Sequence, residues 1–241
     1  MIYCTTNLHF YRDPFLIHKT FTKRIHWFET YRLSNGRFWP NEERHGKDEI
    51  LISLLPQERL VALLQRMVNE AEFLSEGGVR ALSKYHEKKP YTVNIEGVAY
   101  TIQYDPGDST SDLFGGNSNW RGPVWMPINY LFISSIRKFG QFYGDGLTLE
   151  YPTGSGKQLT LSEVANALAR RVLSLFELQE NGGRVHHGSY NWFYRRPENQ
   201  HLLQYYEYFH GDTGRGLGAS HQTGWTALIA ALISELEANE K

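Results

Sequence analysis

The sequence predicts a mainly α-helical chain, an α-rich toroid rather than a parallel sheet, on three observations. Several long stretches repeat apolar residues at helical spacing, no regular alternation of strands with helices occurs, and the two β-like stretches read as local hairpins. With 241 residues, 41% of them hydrophobic and 21% charged, the chain can bury one substantial core, and it reads as a single domain over 1–241.

The elements follow in order. Residues 1–12 have no clear period. Asp13 before Pro14 is an N-cap with proline at the first helical position, and Ile17, Phe21, Ile25 and Phe28 extend a helix over 14–33. A polar loop fills 34–47, broken by Gly36 and Pro40. Leu60, Leu64, Met67, Val68, Ala71 and Leu74 predict a second helix with Pro56 near its start, ended by Gly77 and Gly78. Residues 91–104 alternate around Glu96 and Gly97, the pattern of a hairpin between helices. An acidic, glycine-rich loop over 105–119 is long enough that a compact domain would keep it for function.

Pro123 predicts the start of the next helix, with Val124, Ile128, Leu131, Phe132, Ile136 and Phe139 toward the core and Trp120 and Arg121 at its mouth. A second hairpin is expected over 147–159, with Gly154, Ser155 and Gly156 at its tip. Thr160 and Glu163 form a capping box, stapled by Leu159 and Val164, and Val164, Leu168, Val172, Leu175 and Phe176 carry the helix onward. Residues 181–196 read as irregular, and His186 and His187 as surface or rim residues, because no Cys, Asp or Glu accompanies them at metal-ligand spacing. Trp225, Leu228, Ile229, Leu232, Ile233 and Leu236 predict a final buried helix. The pattern yields roughly five or six long helices.

A formal net charge of -1 offers no basic face for nucleic acid, and no apolar run reaches the roughly 20 residues of a membrane helix, so neither partner is expected. Cys4 stands alone, which rules out an internal disulfide, and without a basic-then-apolar leader the chain reads as cytoplasmic. No cofactor and no metal are expected. Aromatic residues make up 14%, and although packing alone accounts for rings in any core, they cluster in two stretches in a way that suits sugar faces.

The first stretch surrounds Glu207. Tyr205, Tyr206, Tyr208 and Phe209 flank it, the glycine-rich run HGDTGRGLG follows, and the last helix anchors the loop. A lone acid among tyrosines is more often a structural hydrogen-bond acceptor, and the glycine run lacks the lysine and spacing of a phosphate loop. The second stretch is FGGNSNWRGPVWMPINYL at 114–131.

Together the two stretches resemble glycoside hydrolase family 63 and its bacterial glucosidase-like relatives, and more distantly the trehalases. The resemblance rests on Gly115 to Trp125, on Tyr206, Glu207 and Tyr208, on Gly218 to Trp225, and more weakly on Phe73, Leu74, Ser75 and Gly78 to Ser83. It implies an (α/α)6 toroid, incomplete in this chain, which corresponds to the C-terminal portion of the catalytic domain. It implies an inverting α-glycoside hydrolase with Glu207 as general base. Asn117, Asn119, Trp120, Arg121, Trp125, Tyr206, Tyr208, His221 and Trp225 would bind an oligosaccharide or small α-glycoside, with Arg121 or His221 as polar company for Glu207. The family's acid motif, reading like E-S-G-x-D, has no counterpart here, so the partner implied is the missing N-terminal part of the same enzyme, and the isolated chain would be inactive. Asp105, Asp108 and Asp112 are poor substitutes, since acidic loop residues are usually only solvated. Two alternatives stand beside it: a non-catalytic carbohydrate-binding or scaffold module that keeps the pocket, and sugar epimerisation, which would want facing histidines from among His186, His187, His210 and His221.

Overall fold

The computed structural model describes residues 8–11, 42–43, 49–53, 55–110 and 120–239. The helix expected over 14–33 lies outside them, as do Asp112, Asn117 and Asn119. Among the described residues the chain is helix-rich with small antiparallel strand pairs and no closed barrel.

An antiparallel sheet joins β1 (Leu8–Tyr11), β3 (Glu49–Ile52) and β2 (Glu42–Glu43) in the order β1-β3-β2. The sequence reading placed residues 42–43 in a loop; their strand character comes from pairing with Leu51 and Ile50, a long-range event without local signal. Helix α1 (Gln57–Met67) buries Leu60, Leu64 and Met67 but stops before Leu74. Leu74 instead begins β4 (Leu74–Ser75), which turns through Gly77 into β5 (Gly78–Val79). The hairpin expected over 91–104 forms as β6 (Tyr91–Ile95) and β7 (Val98–Ile102).

Helix α2 (Met126–Tyr143) starts three residues later than the sequence suggested. Pro127, not Pro123, occupies its first turn, because residues 123–125 are held extended by Val124, which pairs with both Arg80 and Phe209. The helix buries Phe132, Ile133, Ile136 and Phe139, whereas Ile128 and Leu131, expected inside, lie on its exposed side. Strands β8 (Thr148–Glu150) and β9 (Gln158–Thr160) form the second hairpin. The Thr160–Glu163 capping box then opens α3 (Leu161–Ser174), which buries Val164, Leu168 and Val172. A capping residue of this kind stabilises a helix by about 1 kcal/mol.

After a short helix α4 (Asn191–Tyr194), strands β10 (Tyr208–Phe209) and β11 (Gly216–Leu217) pair, followed by α5 (Thr223–Thr226) and α6 (Leu228–Asn239). Helices α2 and α3 pack on each other and α6 packs on both. Glu235 of α6 accepts from Tyr130 Oη at 2.7 Å and pairs with Arg137, both on α2. Ile229, Leu232 and Leu236 enter the core, but Ile233, expected to be buried, faces out.

Candidate active site

A narrow spine of extended chain runs beside the helices. Leu74 pairs with Val79, Arg80 with Val124, Val124 with Phe209, and Phe209 with Gly216. Val124 and Phe209 exchange both backbone hydrogen bonds, at 2.8 and 2.9 Å, and Ala81 N–H donates to Pro123 O at 3.0 Å. All three motif stretches of the sequence therefore lie side by side. Strand alternation divides their side chains: Val79, Val124 and Phe209 join the helical core, whereas Trp125, Tyr208 and Leu217 form a second cluster with Ala81 and Trp225.

That second cluster is a stack of rings. Trp120 lies on Trp125 with centroids 4.2 Å apart and planes 7° off parallel, and Trp125 lies on Tyr208 at 4.7 Å. Trp225 meets Trp125 at 5.4 Å in a tilted contact. Trp125 is buried and Trp120 is 42% exposed, so the outer ring presents the open end of the stack to solvent. Tyr208 Oη donates to Asp108 Oδ1 at 2.9 Å, and burial, then this bond, raises the phenol's pKa.

Glu207, half-buried, sits in a bend just ahead of β10. Its backbone N–H donates to Ala219 O at 2.9 Å, and its carboxylate Oε2 accepts from Ala219 N–H at 3.0 Å. Gly218, at φ +67°, makes this possible, for a Cβ there would stand 2.7 Å from Oε2. The cationic company expected from the sequence is absent among the described residues. Arg121 is only 4% exposed, and its guanidinium faces Asp105 at 3.4 Å and donates to Ser109 Oγ, so it fixes the 105–109 segment. His221 is exposed, with its ring edge-on to Tyr205 at 5.5 Å.

On the other side of Glu207, Tyr206 is buried in the main core, its carbonyl accepting from Thr226 Oγ1. A Cβ on Gly216 would meet its ring at 2.0 Å, so glycine is required where β11 crosses it. Behind Tyr206 lie His186 and His187, 0% and 2% exposed. These are not the rim residues that their spacing suggested. The turn of 185–190 folds under Phe176, and Tyr194 stacks on His187 at 3.8 Å. Burial lowers the His186 pKa to about 4 and that of His187 to about 3. His186 Nδ1 bonds Leu175 O at 2.7 Å, leaving Nε2 and both His187 nitrogens without a partner among the described residues. The two rings meet edge-on at 4.1 Å inside this buried support, and no group of three or more metal-ligating side chains occurs among the described residues.

Three positioning residues had little or no signal of their own. Asn129 Oδ1 accepts from Val79 N–H at 2.7 Å and its Nδ2 donates to Val79 O and Trp125 O at 3.0 Å, tying the first turn of α2 to the spine. Arg80 donates to Gly211 O at 3.1 Å and pairs with Asp212 at 3.1 Å. Asp212 Oδ1 also accepts from Lys84 at 3.0 Å and Tyr104 Oη at 3.0 Å. Burial raises its pKa, but the Lys84 and Tyr104 bonds and the Arg80 charge outweigh this and leave it lowered. Asn129 could be found only by pairing two distant segments, whereas Arg80 lies in the weaker motif match and Asp212 in the glycine run.

The chain matches the model of the mannosylglycerate hydrolase MGH1-like glycoside hydrolase domain over residues 16–226. An uncharacterized protein of Saccharomyces cerevisiae is 46% identical over 220 residues, which is 90% of this chain and 20% of that protein. A mannosyl-oligosaccharide glucosidase of the same yeast is 31% identical over 123 residues, covering 51% of this chain and 12% of the enzyme. A probable mannosyl-oligosaccharide glucosidase of Schizosaccharomyces pombe is 26% identical over 189 residues, 77% of this chain and 17% of that protein. The chain thus spans a fifth or less of the length of these relatives.

Proposed function

The chain belongs to the MGH1-like glycoside hydrolase family, and from that premise we propose that it is the base-bearing portion of an inverting α-glycoside hydrolase. Glu207 acts as the general base, Trp120 receives a sugar face, and Tyr208 and Trp125 hold that ring in place. The helices belong to an (α/α)6 toroid completed by polypeptide outside this chain. The observation that carries the reading is the Val124–Phe209 pairing, which sets the W-R-G-P-V-W stretch directly against Glu207 and its tyrosines.

An inverting site needs a second carboxyl about 6.5–9.5 Å away, protonated to serve the leaving oxygen. The described acids nearby are engaged otherwise. Asp105 faces Arg121, Asp108 accepts from Tyr208, and Asp212 collects three donors that keep its pKa low, the opposite of what a proton donor requires. The acid therefore comes from polypeptide outside the described residues.

The same observation favours, as a second reading, a module that binds sugar without turning it over. Calorimetry with short α-glucosides, alongside an assay for glucose or mannose release, separates the two. Binding is expected for the isolated chain, with turnover only when the complementing polypeptide is present and at least 100-fold less in Glu207→Gln. Turnover that survives this substitution removes Glu207 from the base role; binding without turnover in the complemented protein leaves only the module.

A further inference from the structure

The hairpin β6–β7 carries two unlike faces. Its register places Tyr91 opposite Ile102, Val93 opposite Tyr100 and Ile95 opposite Val98, and by alternation these six share one side. The other side holds Thr92 opposite Thr101, their hydroxyls 2.8 Å apart, and Asn94 opposite Ala99. A solvated hairpin would turn the apolar side onto a core. Here Tyr91 is 59% and Ile95 55% exposed, and Val93, Val98 and Tyr100 are exposed as well. A two-stranded hairpin is marginal alone in water, and an apolar face on the order of 500 Å² is at the upper end of what a monomer leaves bare.

We propose that this face seats the remaining polypeptide of the full-length enzyme, the portion that family relatives carry in addition to the segment matched here. Three observations favour that occupant. The 46%-identical yeast relative has four-fifths of its length outside the match, so a large covalent neighbour exists in the family. The face is dominated by β-branched aliphatics, which pack on protein surfaces, whereas a sugar would call for an open stack of rings like the one at Trp120. Its size suits one side of an interdomain contact, commonly about 600–1,500 Å² in all.

The rim has charge of both signs, with Lys88 and Lys89 exposed at the base and Glu96 at the tip. Glu96 adopts φ +51°, the one non-glycine positive φ among the described residues. Asn or Gly would fit that turn position with less strain, so a carboxylate is held there against backbone preference. From β7 the chain runs directly into Tyr104 and Asp105, the latter facing Arg121, so a partner seated on the hairpin also braces the segment that carries Asp108 to Tyr208. The proposal rests on the hydrolase reading only in naming the partner as the source of the proton donor.

The test uses the purified chain and, as probe, the polypeptide of the 46%-identical Saccharomyces cerevisiae relative with its matched segment deleted, tagged and co-expressed. A one-to-one complex is expected by light scattering, retained in Thr92→Lys/Asn94→Lys on the polar face and weakened at least 10-fold in Val93→Lys/Val98→Lys. Far-ultraviolet circular dichroism of both double variants must match the parent. Absence of a complex, a complex indifferent to the apolar-face changes, or a doubled mass of the isolated chain abolished by them would each overturn the proposal, the last by making a second copy the occupant. Complex formation is read without substrate, so a complex that forms and does not hydrolyse keeps the docking surface and counts only against the hydrolase.

Discussion

The two flanks of Glu207 are built on opposite principles. On the Tyr208 side, rings lie in a graded stack from buried Trp125 to exposed Trp120, and the one buried hydroxyl reaches a carboxylate. On the Tyr206 side, His186 and His187 are sealed behind tyrosines, with three ring nitrogens left without partners among the described residues. A satisfied, half-open stack suits a surface that meets a ligand. A sealed polar pair costs stability and marks the side that holds the loop from behind.

Breaking the shared support should erase the distinction. Phe209→Ala removes a fully buried ring from the spine that both flanks use, and it is expected to destabilise the chain by about 3–5 kcal/mol, read as a lowered urea midpoint.

Acidification should act most strongly on the Tyr206 side. His186 titrates at about 4 in the fold against an ordinary 6.5, because burial disfavours its charged form. The unfolded chain binds more protons between those values, so this contribution is complete above about pH 6.5 and is lost as pH falls toward 4, up to about 3 kcal/mol. Denaturant titrations at pH 7 and pH 5 should show the loss, and His186→Phe should lessen it while His187, lowered to about 3, keeps its own share; an unchanged slope in that variant would assign the pH dependence elsewhere.

The Tyr208 side should respond to ligand more than to denaturant. Trp120→Ala is expected to weaken α-glucoside binding by roughly 10-fold or more while changing stability by about 1 kcal/mol or less. Equal affinity in calorimetry would take Trp120 out of the sugar surface. The smallest effect belongs to Tyr208→Phe, which keeps the stack and deletes the bond to exposed Asp108. About 1 kcal/mol should be lost, with faster hydrogen exchange in residues 105–110.

Much of the helical frame is legible in the residues alone. The Thr160–Glu163 box, the apolar periods of α1 and α3 and the Glu96–Gly97 turn are local signals, and each marked its element, although α1 ends before Val68, Ala71 and Leu74 and α3 before Leu175 and Phe176. Pro123 misled because pairing with Phe209 holds its neighbour extended, a tertiary demand that outweighs a local preference. Ile128, Leu131 and Ile233 misled because one helix can carry apolar residues on more than one side.

Family membership lay in the order of residues, since W-R-G-P-V-W and Y-E-Y are readable without a fold. What the fold alone decided is who touches whom. Arg121 went to Asp105 rather than to Glu207, His186 and His187 went inside rather than to the rim, and Asn129 clamped a strand fifty residues away. The reason is physical: helix periods and caps are set by neighbours within a few bonds, whereas burial and charge pairing depend on which distant segments close on one another.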